Sequence, residues 1–524
     1  MTATSRQRSS KRRERHTEAK PRKQDAKQRR RVPNPEPPAR GWPGIGGGRS
    51  AVVEAPLEYR GSTVQVCGMW PFSTGNGTPK IGVPLGLSLI DSDTVCCDPL
   101  SWFQLAHLIH NPSCFILGKP GLGKSSVLRR MSLGLAGFGV LSMFLGDTKG
   151  EHVDLVQAMG GNVFRLGPNR DYINVLDISQ AIDAERRLIA HGFLEPAQEV
   201  RADAERKRLI LVETLVTISR KGAAVTDRET AIIGEALSLL DQASDTPPVL
   251  ADLVSVIEAR PQELRTIAMD RGDIGRYQDV TENLIVSLRG LTSHGRLGES
   301  FSRQSTVRVE LDRSCVFDLS GVSGGDDSLL AASLVVCWAL GFRAITRGQV
   351  LAECGLEPLR HWFVPMDELW RPLRAGEGMV DRVDEVTRLN RQWGVATAPC
   401  THTMSDLDLP SVADTAKARG FVERAGMVIC GGLPPEEMKK LRTVVAVSEA
   451  EERMVTGWQD PAGWDEAGED SPPPGRGNFL IKVGGRPGIP VHVSLTEAEL
   501  SLNDTNKLWH QASQLQLHGG QRNE

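Results

Sequence analysis

Gly118-Lys119-Pro120-Gly121-Leu122-Gly123-Lys124-Ser125 meets the phosphate-loop pattern G-x-x-x-x-G-K-[ST] at every fixed position. Glycines at those places let backbone N–H groups close around phosphate oxygens. Lys124 is positioned to reach the β- and γ-phosphates, and the Ser125 hydroxyl to ligate Mg²⁺. The flanks decide against a chance Gly-rich turn. Ser113–Leu117 is a short apolar run of the kind that forms a buried strand. Ser126–Leu133 has the character of a helix opening. Strand, loop and helix in that order turn the positive end of the helix toward the anion. The candidate nucleotide-binding residues are therefore Gly118, Lys119, Pro120, Gly121, Leu122, Gly123, Lys124, Ser125 and Ser126.

Working outward, Val140–Asp147 reads as a second buried strand ending in an acid. Asp147–Glu151 then opens a helix, and Val163–Leu166 is a third strand. Strands alternating with helices predict an α/β fold with a mostly parallel sheet and right-handed crossovers. Residues 178–300 change character, with helices expected over 183–190, 201–219, 227–240 and 250–259. Thr226 and Glu229 have the spacing of a capping box. Strands resume at Cys315–Leu319, Trp362–Glu368, Val395–Cys400 and Met427–Cys430. Phe479–Val483 and Val491–Val493 predict a terminal hairpin. The expected organisation is a disordered basic and Pro/Gly-rich tail (1–50), a β-rich lead-in (51–112), the first part of the nucleotide domain (113–177), an all-α insertion (178–300), its second part (301–500) and a polar tail (501–524).

Charge and cysteine usage narrow the class. Net charge is −3 over 524 residues, but residues 1–40 carry 14 Lys/Arg against 4 Asp/Glu. The rest of the chain is acidic, which argues against a generally basic nucleic-acid binder. The tail suits an acidic lipid surface or nucleic acid, or serves only to keep the chain in solution; composition does not choose. Nine cysteines lack metal-ligand spacing and read as reduced thiols of a cytoplasmic protein. No signal peptide is visible. The longest uncharged apolar run, Ser328–Phe342, is short for a bilayer span and reads as a buried helix.

A phosphate loop needs an acid for Mg²⁺ and a group to place water. Asp367-Glu368, after an apolar run, has the Walker B form: Asp367 for the metal, Glu368 for the attacking water. That pair favours ATP hydrolysis over a GTPase switch. Pro365 inside the strand removes a ladder donor, an unusual feature in a central strand. Asp318 is the rival acid, but no second carboxylate adjoins it. His402, at the end of the Val395–Cys400 strand, is a candidate sensor of the γ-phosphate. Arg388 and Arg391, on a predicted helix, are candidates for an arginine acting on a neighbour's nucleotide, with Arg391 preferred.

The loop, the Asp147-x-x-x-Glu151 segment, the helical insertion and Asp367-Glu368-Leu369-Trp370 together resemble conjugative-transfer ATPases of the HerA/FtsK superfamily. The TraC/TrbE-like ATPases of type IV secretion are the nearest in pattern. Ile173–Leu176, and Gly290–Phe301 followed by Val307–Leu319, also match that pattern. Where those proteins end the sensor strand in Thr-Gln-Ser, this chain has Thr401-His402-Thr403. The resemblance implies a RecA-like P-loop NTPase using ATP and Mg²⁺. It further implies a homo-hexamer with ATP between subunits, at the cytoplasmic face of membrane-embedded secretion or conjugation components. An FtsK/HerA-like or coupling-protein translocase acting on DNA is the alternative. A nucleotide-binding assembly protein with little hydrolysis is a third reading.

Overall fold

The structure is a computed structural model and describes residues 80–167, 170–244, 246–292, 301–322, 327–374, 379–381, 383–384, 391–460 and 473–502. The expected basic tail, the lead-in before residue 80, Arg388 and the tail after 502 lie outside the described residues.

The strands are β1 (Pro84–Ser88), β2 (Thr94–Cys96), β3 (Cys114–Leu117), β4 (Leu141–Asp147), β5 (Asn162–Arg165), β6 (Cys315–Asp318), β7 (Trp362–Met366), β8 (Val395–Thr401), β9 (Met427–Cys430), β10 (Asn478–Lys482) and β11 (Ile489–Val493). They form one eleven-stranded sheet in the order β2-β1-β11-β10-β9-β3-β8-β7-β4-β6-β5. The seven strands from β9 to β5 are parallel, and β10, β11, β1 and β2 extend the sheet antiparallel. β3, β6, β7, β8 and β9 are buried along their whole length. That is why they read as unbroken apolar runs: helices cover both faces of a parallel sheet.

The helices that frame the site are α1 (Pro99–Gln104), α2 (Lys124–Gly137) and α3 (Val153–Ala158). The insertion contributes α4 (Ser179–Ala190), α5 (Leu194–Ser219), α6 (Asp227–Ala243), α7 (Leu250–Ala259), α8 (Gln262–Ala268) and α9 (Ile274–Thr292). The capping box forms as expected, with Thr226 Oγ1 and the Glu229 carboxylate exchanging bonds across the first turn of α6. Gly290 lies inside the last turn of α9. The apolar helix is α10 (Asp327–Glu353). It is long and apolar enough to cross a membrane, but 72% of its apolar window is buried against this chain, as in a core helix.

Three local findings differ from expectation. Asp147–Glu151 does not open a helix, because Asp147 caps a turn: its carboxylate accepts the N–H groups of Lys149, Glu151 and His152. Helix α3 begins only at Val153. The lead-in contains α1 beside its strands, capped by Asp98 on Ser101 N. β1 pairs with β11, so the lead-in strands extend the main sheet. Gly86 is required there: a Cβ would lie 1.8 Å from the His492 carbonyl oxygen.

Pro365 is accommodated by one-sided pairing. β7 matches β4 only at Trp362 and Phe363, while its register with β8 runs through to Met366. Past Phe363 the strand has no β4 partner, so the missing N–H costs no ladder bond on that side.

Near the hairpin, Lys482 is buried and donates to both oxygens of Glu451 at 3.0 and 3.2 Å. Burial raises the Glu451 carboxyl, but bonds from Ser448, Gly488 and Lys482 win and depress it. A depressed carboxyl adds stability above its unfolded value of about 4.3, and that stability is lost as pH falls through the folded value. Lys482→Met, which strands Glu451, should cost about 1–3 kcal/mol at pH 7. Thermal unfolding at pH 7 and at pH 4 should show the gap between wild type and variant narrowing in acid.

Candidate active site

The phosphate loop joins β3 to α2 at the carboxyl end of the parallel sheet, where open α/β sheets place ligands. Gly118, Gly121 and Gly123 have φ values of 157°, 80° and 101°, so the loop takes a path that side-chain-bearing residues resist. Leu122 is buried beneath the loop and its carbonyl accepts Gly477 N at 3.0 Å, so it anchors the turn. The Lys119 N–H is used on the Gly432 carbonyl at 3.0 Å. Pro120 offers no N–H. Ser125 and Ser126 lie in the first turn of α2.

Lys124 Nζ donates to the Lys119 carbonyl at 3.2 Å and meets His402 Nδ1 at 2.9 Å. A lysine ammonium only donates, so Nδ1 accepts and the ring proton of the neutral imidazole sits on Nε2. That Nε2 lies 3.0 Å from Glu368 Oε2. His402 therefore links the loop lysine to the Walker B glutamate. Its backbone is pinned by Asp406, whose Oδ2 accepts His402 N at 3.0 Å, Thr403 N at 2.9 Å and Thr401 Oγ1 at 2.8 Å.

Asp367 and Glu368 follow β7. Strand β8 pairs with both β3 and β7, so it lies between the loop and the two acids and delivers His402 to each. Ser125 Oγ donates to Asp367 Oδ2 at 3.0 Å. His152 Nε2 lies 3.4 Å from the same oxygen, its ring stacked on Phe144. Burial raises the Asp367 carboxyl, but His152, Ser125 and Lys149 hold it well below the usual carboxylate range. Asp318, the rival acid, has no such place. It lies on β6, beyond β4, with Arg170 3.7 Å away.

Glu368 adopts φ 55°, a left-handed conformation that a glutamate takes only when its surroundings enforce it. Its carboxylate receives Trp370 Nε1 at 2.5 Å, His402 and Lys149. Burial opposes ionisation, yet the bonds from His402 and Lys149 bring the carboxyl down to about 2. The group is a fixed anion, suited to accepting hydrogen bonds and poorly suited to taking a proton.

The residues fit a divalent cation. A hydroxyl and a carboxylate, both hard oxygen donors, meet at the loop. Among the described residues no group of three or more His, Cys, Asp or Glu is arranged to hold a metal. A hydroxyl and a carboxylate together suit Mg²⁺, which takes few protein oxygens and completes its shell with phosphate and water.

Arg391 lies elsewhere. It occupies a turn just before β8, over the Phe103 ring at 5.5 Å, and not the predicted helix. The seven residues of β8 separate it from the loop end of the sheet by about 20 Å. It cannot reach the nucleotide of its own subunit. Sequence reasoning missed Lys149, His152 and Trp370 as site residues. Trp370 stands in the Asp-Glu-Leu-Trp segment and Lys149 inside the acidic segment, while His152 carries no signal beyond its neighbourhood.

No protein-family model matches this sequence, and no curated protein sequence does. Solved structures do. VirB4 of Thermoanaerobacter pseudethanolicus superposes with a TM-score of 0.57 over 82% of this chain and 100% of that one, at 16% identity. This chain has the P-loop fold of VirB4. The plasmid coupling protein TrwB in complex with ADP and Mg²⁺ matches more loosely, with a TM-score of 0.45 and 13% identity over 81% of this chain and 97% of that one. That likeness is too loose to carry an argument.

Proposed function

We propose that this chain is a Mg²⁺-dependent ATPase that powers a conjugative or type IV secretion transport complex. The observation that carries the ATPase reading is the meeting of Ser125, Asp367 and Glu368 at the mouth of the phosphate loop. The loop amides and Lys124 bind the phosphates. Ser125 and Asp367 would hold Mg²⁺, which neutralises phosphate charge when bound. Glu368 orients the attacking water through its fixed anionic oxygens. His402 couples the two, because an incoming γ-phosphate competes for Lys124 and so disturbs the contact of His402 with Glu368. Asp406→Ala, which frees the His402 turn, should lower kcat about 10²-fold while the KM for ATP changes far less. Steady-state ATPase kinetics check this.

The transport reading is supported by the likeness of the motif set to TraC/TrbE-like ATPases and by the shared fold with VirB4. In this reading the chain works as a homo-hexamer on the cytoplasmic side of a membrane complex. In the same reading Arg391 serves the neighbouring subunit's nucleotide. The test is ATP hydrolysis by the purified full chain, with and without DNA, alongside its mass in ATP and Mg²⁺. DNA-independent turnover by a ring supports the secretion reading. Steeply salt-sensitive stimulation by DNA assigns the chain to DNA translocation instead. Absence of turnover under both conditions overturns the ATPase reading.

A further inference from the structure

A cavity of about 60 Å³ lies where α4 and α5 of the insertion meet α10, and no residue of the phosphate loop lines it. The space holds a few waters or one small ion, and is far too small for a nucleotide. Two arginines one turn apart on α10, Arg343 and Arg347, line it, with Arg308 at its wall.

Neither α10 arginine has an acidic partner. Arg343 Nε and Nη1 donate to the Ala339 and Asp177 carbonyls, each at 3.3 Å. Arg347 Nη2 donates to the Val309 carbonyl at 3.0 Å. Among the described residues neither guanidinium lies within 4.0 Å of a carboxylate. Arg343 Nη2 is buried and makes no hydrogen bond. The acids nearest them are Asp177 and Asp203, which also line the cavity, and Glu310, whose charge acts on Arg347. Asp177 Oδ1 accepts Ser179 N, Asp203 pairs with Arg206 and Lys207, and Asp183 pairs with Arg308. Burial pushes both α10 guanidiniums down to about 10, the mark of cations with too little compensation. Unsatisfied buried donors are rare, and an ion or water is the usual reason for one.

We infer that this cavity is a binding site for a small tetrahedral oxyanion, with inorganic phosphate its first candidate, held by the free Nη2 of Arg343 together with Arg347. Guanidinium forks match phosphate oxygens in geometry as well as charge. The bound anion would tie the insertion helices to α10, whose other side packs on β4 of the central sheet. The site is independent of nucleotide chemistry and stands whether or not the chain hydrolyses ATP.

The experiment is equilibrium dialysis of radiolabelled phosphate against the full chain carrying Lys124→Ala, which weakens the phosphate loop as a competing site. Retention of a single phosphate, displaced by sulfate but not by chloride at matched ionic strength, is expected. Arg343→Met should cut that retention by about tenfold or more. Should Arg343→Met fail to fold, Arg347→Lys keeps the charge, removes the fork and should weaken retention likewise. No retention by the Lys124→Ala protein overturns the site, and so does retention that both arginine substitutions leave unchanged.

Discussion

Glu368→Gln leaves ATP bound and slows its hydrolysis by about 10²–10³-fold. The glutamate is held by three donors, from Lys149, Trp370 and His402, so its position is set before any substrate arrives. Glutamine keeps the size and one acceptor oxygen. It also turns an amide N–H₂ toward a donor, and at least one of the three contacts must be given up. The anion that orients water is lost, while the loop, Lys124 and Asp367 are untouched. Binding of a fluorescent ATP analogue and single-turnover hydrolysis separate the two effects. Hydrolysis at the wild-type rate would sink the assignment of Glu368 and move the water-placing role to another side chain.

Lys124→Ala should weaken ATP binding and turnover together, with kcat/KM down by about 10²–10³-fold. Lys124 is buried in the loop and its ammonium faces the Lys119 carbonyl and His402. Alanine removes the cation from the phosphate site and also releases His402 Nδ1, so the Nε2 contact with Glu368 is no longer enforced. The expected signature is therefore a fall in kcat beyond what lost affinity explains. Equilibrium ATP affinity beside saturating-substrate kinetics checks it. An unchanged affinity would show that the loop does not hold the triphosphate.

What the sequence disclosed depended on distance along the chain. The loop was legible because its chemistry is local, with the glycines, the lysine and the serine within eight residues. The parallel strands were legible because burial on both faces leaves unbroken apolar runs such as Cys114–Leu117 and Met427–Cys430. The preference for Asp367 over Asp318 rests on an adjacent carboxylate, a local feature; the Ser125 bond to Asp367 joins positions 242 apart and no local pattern announces it. Lys149 was not legible, because its partner Glu368 is 219 positions away and no local pattern links them. The same holds for His152, which reaches Asp367 only because the Asp147 turn swings it under β7. Helices α8 and α9 were missed for a different reason. The first is only seven residues long, and the second carries glycines near both ends, which mask the apolar face formed by Tyr277, Leu284, Leu288 and Leu291.

The pairing of β1 with β11 has a consequence for how the chain is made. Gly86 pairs with Val493, roughly 400 residues downstream, and Leu122 under the phosphate loop is tied to Gly477. At ordinary rates of synthesis about 20–80 s separate the emergence of β1 from that of its partner. Through that interval the early strand waits with an open edge, and the nucleotide loop lacks its floor. The loop's last anchor, the bond from Gly477 to Leu122, is in place only once the final hairpin has been made.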